Sequence, residues 1–478
     1  MGRTVGKELS QLSATAQIDL YRSGKLSPVE VTRAALGCIE ALNPKVNAFC
    51  LVAADEALAA AKASEARWLR GEPLGRVDGV TTTIKDLVLS AGWPTLRGSR
   101  AVNRNQPWTE DAPSVARLRE HGAVFLGKTT TPEFGWKGIT DSPLTGITPN
   151  PWNLKHTAGG SSGGAGVAAA LGLGALHIGT DGGGSIRIPS SFCGVFGIKA
   201  SHGRVAVYPP SPFGSLSHAG PMTFSVADAA LMLTVLAEPD PRDAGALPYE
   251  PRDYVAALEA GIRGCRIAFS PDLGYATVDP DVARLVRGGL SAFEAQGATI
   301  EEVGPGFENL LGMFRTIWYA GAAQVYRSFS DSQREVLDPG FVSVAKEGMK
   351  ITLPDYLANA TARMGLGATV RRFHQRFDFL VTPTMPIPAF PLSKVAGGPI
   401  PGDAPIGPNG ERWDDWSPFT YPFNLTGQPA ATVPCGFTPA GLPVGLQIVG
   451  RPFDDVGVLR AARAFESACP EHWKRPTV

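Results

Sequence analysis

GGSSGGAGVAAALGLGALHIGTDGGGSIRIP, running from Gly159 to Pro189, is the stretch from which the rest of the chain is read. Its inner part, 175–180, is a short apolar run between glycines and reads as a buried strand. From Gly159 to Gly197, one position in three is glycine. Glycine surrenders the most backbone entropy on folding, so this density points to bare N–H groups in use. Gly182-Gly183-Gly184 before Ser185 can form a nest of amides, which is what an oxyanion hole requires. Ser185 closes that run, with a hydroxyl placed to attack a carbonyl. A tight turn with Ser185 as a capping serine fits the same residues, because Gly and Ser dominate turns. Local sequence leaves both readings open.

Other patterns compete for the same stretch. A phosphate loop needs G-x-x-x-x-G-K-[ST], and no lysine follows these glycines. Gly159, Ser161 and Gly163 match the G-x-S-x-G nucleophile elbow. That elbow follows an apolar strand, whereas 152–158 (WNLKHTA) is a poor one, and no later histidine stands in a suggestive setting. The match is read as accidental. A serine can instead be activated by a lysine whose pKa burial has lowered. Thr83-Ile84-Lys85-Asp86 ends an apolar-flanked strand on such a lysine. An inward amine and a solvated surface lysine both fit it. Ser343 and Lys346 form S-x-x-K, but the companion motifs are missing in order.

Outward from the glycine-rich stretch, strand and helix signals alternate, which implies an α/β sheet. The N-terminal segment, 1–70, reads as helices. Ser27-Pro28-Val29-Glu30 is a capping box with proline at the first helical position. An alanine-rich helix follows over about 52–70, stopped by Gly71. Strands are expected at 80–84 and 124–126, with a helix between them opening at Asp111-Ala112-Pro113. After a polar, proline-bearing turn region at 238–264 come a strand (265–270), a helix (279–296) and a strand (299–303). The segment 305–370 reads as mostly helical. A strand at 377–381 runs into a proline-rich tract over 383–443. Strands at 430–435 and 444–449 precede a terminal helix.

Composition bounds the function classes. The 478 residues carry 44 Lys plus Arg against 44 Asp plus Glu. Zero net charge removes the electrostatic drive toward nucleic acid. With 44% apolar residues and no long charge blocks, disorder is not expected. The six cysteines form no C-x-x-C and read as free thiols in a reducing compartment. The N-terminus has no apolar signal region, and the richest apolar segment, 167–178, is too short to span a bilayer. A soluble, cytoplasmic protein is expected. Length allows two or three domains or one large one. The seven histidines are widely scattered, with no two at helical or turn spacing, so no paired metal site is expected.

The residues gathered so far resemble the amidase signature family. Gly159–Gly164 and Gly179–Pro189 look like its signature. Lys85 within TIKD, Gly127–Gly135 (GKTTTPEFG), Asn150-Pro151-Trp152, Leu425–Ala430 and Gly441–Gln447 agree with it. The likeness covers roughly 10–240 and 375–465; about 240–375 has no match. It implies a single α/β/α domain around a mixed, twisted sheet of about eleven strands flanked by helices. Within it, 1–70 would be a helical region packing on the core and 71–240 the core with the catalytic residues. The segment 241–375 would form a variable helical region at the substrate pocket, and 376–478 the remainder of the same sheet.

The resemblance also implies a Ser–cisSer–Lys triad. Ser185 would be the nucleophile, Ser161 the bridging serine and Lys85 the base. The backbone of Gly182, Gly183, Gly184 and Ser185 would supply the oxyanion donors. Gly182 stands where many members carry a larger residue, which suggests a roomier pocket there. Asp181 and Arg187 should pair to hold the nest, with Ser162 also behind the triad. Thr131, Phe134, Gly160 and Trp318 are candidates for the substrate pocket. Among Trp108, Trp136, Phe314 and Tyr319, an ordinary core position is an equal reading. Glu133 is given no catalytic role. No metal and no cofactor are implied.

The expected activity is hydrolysis of C–N bonds in small amides, with anilides, aryl carbamates (a urethanase activity) and some esters in reach of the same acyl-enzyme chemistry. Nucleic-acid and membrane partners are not expected, and a homodimer is allowed. Two alternatives remain: a glutamine-hydrolysing subunit of a tRNA-dependent amidotransferase, and a non-catalytic binding protein on the same fold.

Overall fold

The computed structural model describes residues 2–394 and 412–478. Eleven strands form one sheet: β1 (Phe49–Val52), β2 (Thr81–Lys85), β3 (Val124–Thr129), β4 (Leu176–Asp181), β5 (Phe196–Lys199), β6 (His218–Thr223), β7 (Arg266–Phe269), β8 (Thr299–Glu302), β9 (Phe379–Pro383), β10 (Ala430–Phe437) and β11 (Pro443–Gly450). Their order across the sheet is β1-β3-β2-β4-β6-β5-β10-β11-β9-β7-β8. The pairings β3–β2, β2–β4, β9–β7 and β7–β8 are parallel and the others antiparallel, so the sheet is mixed. Strands β2 and β3 are buried along their whole length, as central strands covered on both faces must be. Edge strand β8 stays largely exposed, and its sequence, TIEE, carries two carboxylates that blunt the edge.

Helices cover the sheet in separate apolar clusters. One gathers Pro113–Glu120, Val226–Leu236, Pro280–Ala295 and Asp455–Ala468; another gathers Pro28–Val46, Ala54–Arg70 and Gly163–Leu171. A third is aromatic, with Trp136, Phe314, Trp318, Trp413 and Tyr421. Local signals act as expected at several helix ends. Ser27 and Glu30 form a complete capping box, and Gly71 ends its helix in the left-handed conformation at φ 74°. Asp279 accepts from the N–H groups of Asp281 and Val282 to open its helix.

The sheet departs from the sequence reading in three places. The N-terminal segment, 1–70, is not all helical, because Phe49–Val52 pairs antiparallel with β3 as an edge strand. Strands β5 and β6 carry glycine or proline inside them and give no alternation, so only tertiary pairing reveals them. Residues Asn153–Thr157, a poor strand by composition, form a two-stranded ribbon with Pro149–Asn150 outside the main sheet. Part of the proline-rich tract, 395–411, lies outside the described residues.

Candidate active site

Lys85 is the last residue of β2, and Asp181 is the last residue of β4 beside it. The two strands run parallel, with Thr82 opposite Leu176 and Ile84 opposite Ile178, so their carboxyl ends meet. Open α/β sheets place ligands at such ends. The chain reaches Ser161 through a cis Gly160–Ser161 peptide. The Lys85 Nζ lies 2.7 Å from Ser161 Oγ, 2.8 Å from Ser162 Oγ and 2.9 Å from Thr180 Oγ1. Among the described residues, no carboxylate bonds the amine. Burial pulls its pKa far below that of a free lysine, and the more distant Asp181 offsets only part of this. A neutral amine donates two protons and accepts one. Ser162 donates its own hydrogen to the Thr180 carbonyl at 3.2 Å, so it can only accept from Lys85. Ser161 is then free to donate to the amine, the direction a base needs.

The Asp181–Ser185 turn is fixed by a buried polar network. Arg187 grips Asp181 bidentately, Nε to Oδ2 and Nη2 to Oδ1, both at 2.9 Å. Arg187 also donates to Thr420 O and Gln447 Oε1 at 2.8 Å and to Asn424 Oδ1 at 2.7 Å. Burial alone would raise the Asp181 pKa, but the guanidinium holds it well below the ordinary carboxylate range. Thr420 Oγ1 donates to Gly183 O at 2.6 Å, and the Ser162 N–H donates to Ser185 O at 3.2 Å.

Gly184 departs from the expected oxyanion set. Its N–H donates to Asp181 Oδ1 at 2.7 Å and is committed to holding the turn. The N–H groups of Gly182, Gly183 and Ser185 have no acceptor among the described residues. The pocket beside Gly182 is also not roomier. A Cβ there would meet the Trp318 ring at 2.7 Å, and one on Gly183 would meet Phe314 at 2.7 Å. The side chain missing from position 182 is replaced by an indole.

Ser161, Thr180, Gly182 and Ser185 open onto a cavity of about 250 Å3. Phe134 and Trp318 line it, together with Leu87, Arg97, Tyr208 and Phe213. Trp318 is fixed by stacking on Phe213 at 4.0 Å and by donating its Nε1 hydrogen to Trp136 O at 3.1 Å. Thr131 and Gly160 do not line the cavity. The Thr131 hydroxyl donates to Pro132 O, and a Cβ on Gly160 would lie 2.6 Å from the Ile139 backbone, so that glycine serves close packing. Trp136, Phe314 and Tyr319 belong to the aromatic core, and Trp108 lines a neighbouring pocket. Glu133 is buried and accepts the Asp338 N–H, while burial lifts its pKa to about 7.

Sequence reasoning missed the 206–213 segment, which supplies much of the cavity wall. It also missed Thr420, Asn424 and Gln447. Gln447 closes one of the C-terminal family-like motifs and Asn424 immediately precedes another, so their positions were in view but not their role. Among the described residues, Cys469, Glu471 and His472 bring potential ligand atoms within 4.8 Å of one another, and none of them lines this cavity. No helix among the described residues is long and apolar enough to cross a membrane.

The chain is similar to known proteins along nearly its whole length. An acylamidase of Rhodococcus erythropolis is 39% identical over 473 residues, covering 98% of each chain. A glutamyl-tRNA(Gln) amidotransferase subunit of Chloroflexus aggregans is 35% identical, over 98% of this chain and 99% of its own. The crystal structure of a bacterial aryl acylamidase of the amidase signature enzymes superposes with a TM-score of 0.89 at 31% identity, over 97% of this chain and 98% of that one. The Amidase family itself is matched across residues 30–459, including the middle segment that the sequence motifs had left unplaced. The chain belongs to the amidase signature family and is an amide-cleaving hydrolase.

Proposed function

We propose that the enzyme hydrolyses small amides bearing an apolar or aromatic group, anilides foremost, through an acyl-enzyme on Ser185. The observation that carries this reading is the buried Lys85 amine held by three hydroxyls, two of which, on Ser161 and Thr180, line an aromatic-walled cavity. Lys85 takes a proton from Ser161 as Ser161 takes one from Ser185. The Ser185 Oγ forms a bond to the carbonyl carbon, and the oxyanion accepts from the N–H groups of Gly182, Gly183 and Ser185. The proton returns through Ser161 to the nitrogen, the C–N bond breaks and the amine departs. Water, deprotonated by the same relay, attacks the ester and releases the acid. Carbamates and esters enter by the same steps. The six unpaired cysteines support a reducing, cytoplasmic setting.

Labelling by a fluorophosphonate, combined with a panel of anilides, aliphatic amides, carbamates, esters and glutamine, tests the reading. The isolated chain should label once, at Ser185, and hydrolyse anilides; Ser185→Ala should do neither. Turnover by that variant refutes the mechanism. The 35% identity to an amidotransferase component favours a second reading, glutamine hydrolysis within a complex. Glutaminase activity that exceeds anilide hydrolysis would select it.

A further inference from the structure

We infer that Arg97 recognises an anionic group on the substrate, so the preferred amides carry a carboxylate or a like charge away from the scissile carbonyl. This rests on the amidase reading of the same cavity and adds its substrate class.

Arg97 lines the cavity that holds Ser161 and Ser185, and it also lines the adjoining pocket beside Trp108. Its guanidinium presents five donors, yet among the described residues it makes no hydrogen bond, no ion pair and no stacking contact on an aromatic face. The carboxylate that acts on it through space, Asp86, is already occupied. It faces Lys128 Nζ at 3.4 Å and accepts the Gly98 N–H at 3.3 Å. Two cations therefore attend one carboxylate, and the surplus charge belongs to the side chain on the cavity wall. Elsewhere on that wall the other charged group, Asp181, is neutralised by Arg187.

The backbone holds Arg97 in place. It sits at φ 57°, in the left-handed region that a non-glycine residue seldom adopts. Its carbonyl accepts the Phe134 N–H at 2.8 Å, tying it to another residue of the cavity wall. Burial draws its pKa downward, and the shared Asp86 offsets only part of this. A planar guanidinium of this kind matches a carboxylate bidentately. The apolar remainder of the wall (Leu87, Val88, Phe134, Phe213, Trp318) accommodates the hydrocarbon or ring that connects that charge to the amide.

The test uses a matched pair: glutaryl anilide and its neutral methyl ester. Binding to the Ser185→Ala protein is measured by calorimetry, and anilide cleavage by the intact enzyme as kcat/KM. The anion should bind at least about tenfold more tightly than the ester, the scale of a charged hydrogen-bonded pair. Adding Arg97→Ala should remove that preference, Arg97→Lys should restore part of it, and Arg97→Glu should turn it against the anion. Equal binding of the pair, or a preference that survives Arg97→Ala, overturns the inference. Binding preference that follows Arg97 in an enzyme that cleaves neither anilide supports the inference while refuting the anilide reading. Thermal midpoints of the Arg97 variants identify any that fail to fold, and the remaining two variants then decide.

Discussion

Arg187→Met tests the idea that the catalytic turn is held by a buried ion pair. The change keeps most of the side-chain volume and removes the charge. Asp181 would retain the Gly184 and Ile186 N–H groups and the Asn424 amide, but lose its cation. Thr420 O, Gln447 Oε1 and Asn424 Oδ1 would each lose a donor. Both members of the pair are fully buried, and breaking such a pair from one side costs about 3–5 kcal/mol. Without the guanidinium, burial acts on Asp181 with its main counter-charge gone, so its folded-state pKa moves up from its depressed position. The sign follows. In the parent protein the Asp181 pKa is depressed, so its contribution is fully present above the unfolded pKa and lost as pH falls through the folded one. In the variant that depression is lost, so the carboxylate no longer adds stability above the unfolded pKa. The gap between the two proteins is therefore full at neutral pH and narrows below about pH 5, as the parent gives up its advantage. Urea midpoints measured from pH 7 to pH 3 should show this deficit and its narrowing. Fluorophosphonate labelling of Ser185 should slow in the same variant, because the Gly184 anchor loosens with Asp181. A deficit under about 1 kcal/mol at neutral pH, or one constant across that range, would refute the argument.

Three further outcomes are expected. Parent kcat/KM on an anilide should rise with pH through a single ionisation well below that of free lysine, since Lys85 serves only when neutral; Lys85→Ala should lower kcat/KM by about a hundredfold or more and remove that limb. Gly182→Ala should cost about 1–3 kcal/mol in stability, because its Cβ meets Trp318 at 2.7 Å, and Trp318→Ala should relieve this in a double-mutant cycle. Lys199 is buried beside His218, and burial lowers its pKa to about 7. Between that value and the unfolded one near ~10.4, the unfolded chain binds the extra proton, so stability should increase from pH 7 to pH 9.5, and Lys199→Met should flatten part of the increase in urea midpoint.

What sequence could reveal followed from how local each signal is. Lys85, Ser161 and Ser185 stand in motifs whose spacing survives without any contact being known. Capping residues such as Ser27 and Glu30 act within four positions of themselves and were readable for that reason. Strands Phe196–Lys199 and His218–Thr223 were not, because glycine and proline interrupt them and their place comes from neighbours distant in sequence. The commitment of the Gly184 amide to Asp181 is a matter of direction, which composition does not encode. Gly182 looked like empty space because the residue that fills it, Trp318, lies more than a hundred positions away. Arg97 carried no motif; its interest arises from the partners it lacks.

The clamp on Arg187 also bears on when this enzyme becomes active during its own synthesis. The proposed nucleophile, bridging serine and base have all been translated by residue 185. The groups that grip Arg187 from the far side, Thr420, Asn424 and Gln447, come last. A nascent chain still on the ribosome, or one truncated before residue 420, holds every side chain of the proposed triad around an unsecured turn. On the proposed triad, hydrolytic competence therefore waits for residues 420–447, and a short fragment supplying residues 420–450 in trans is the natural place to look for complementation.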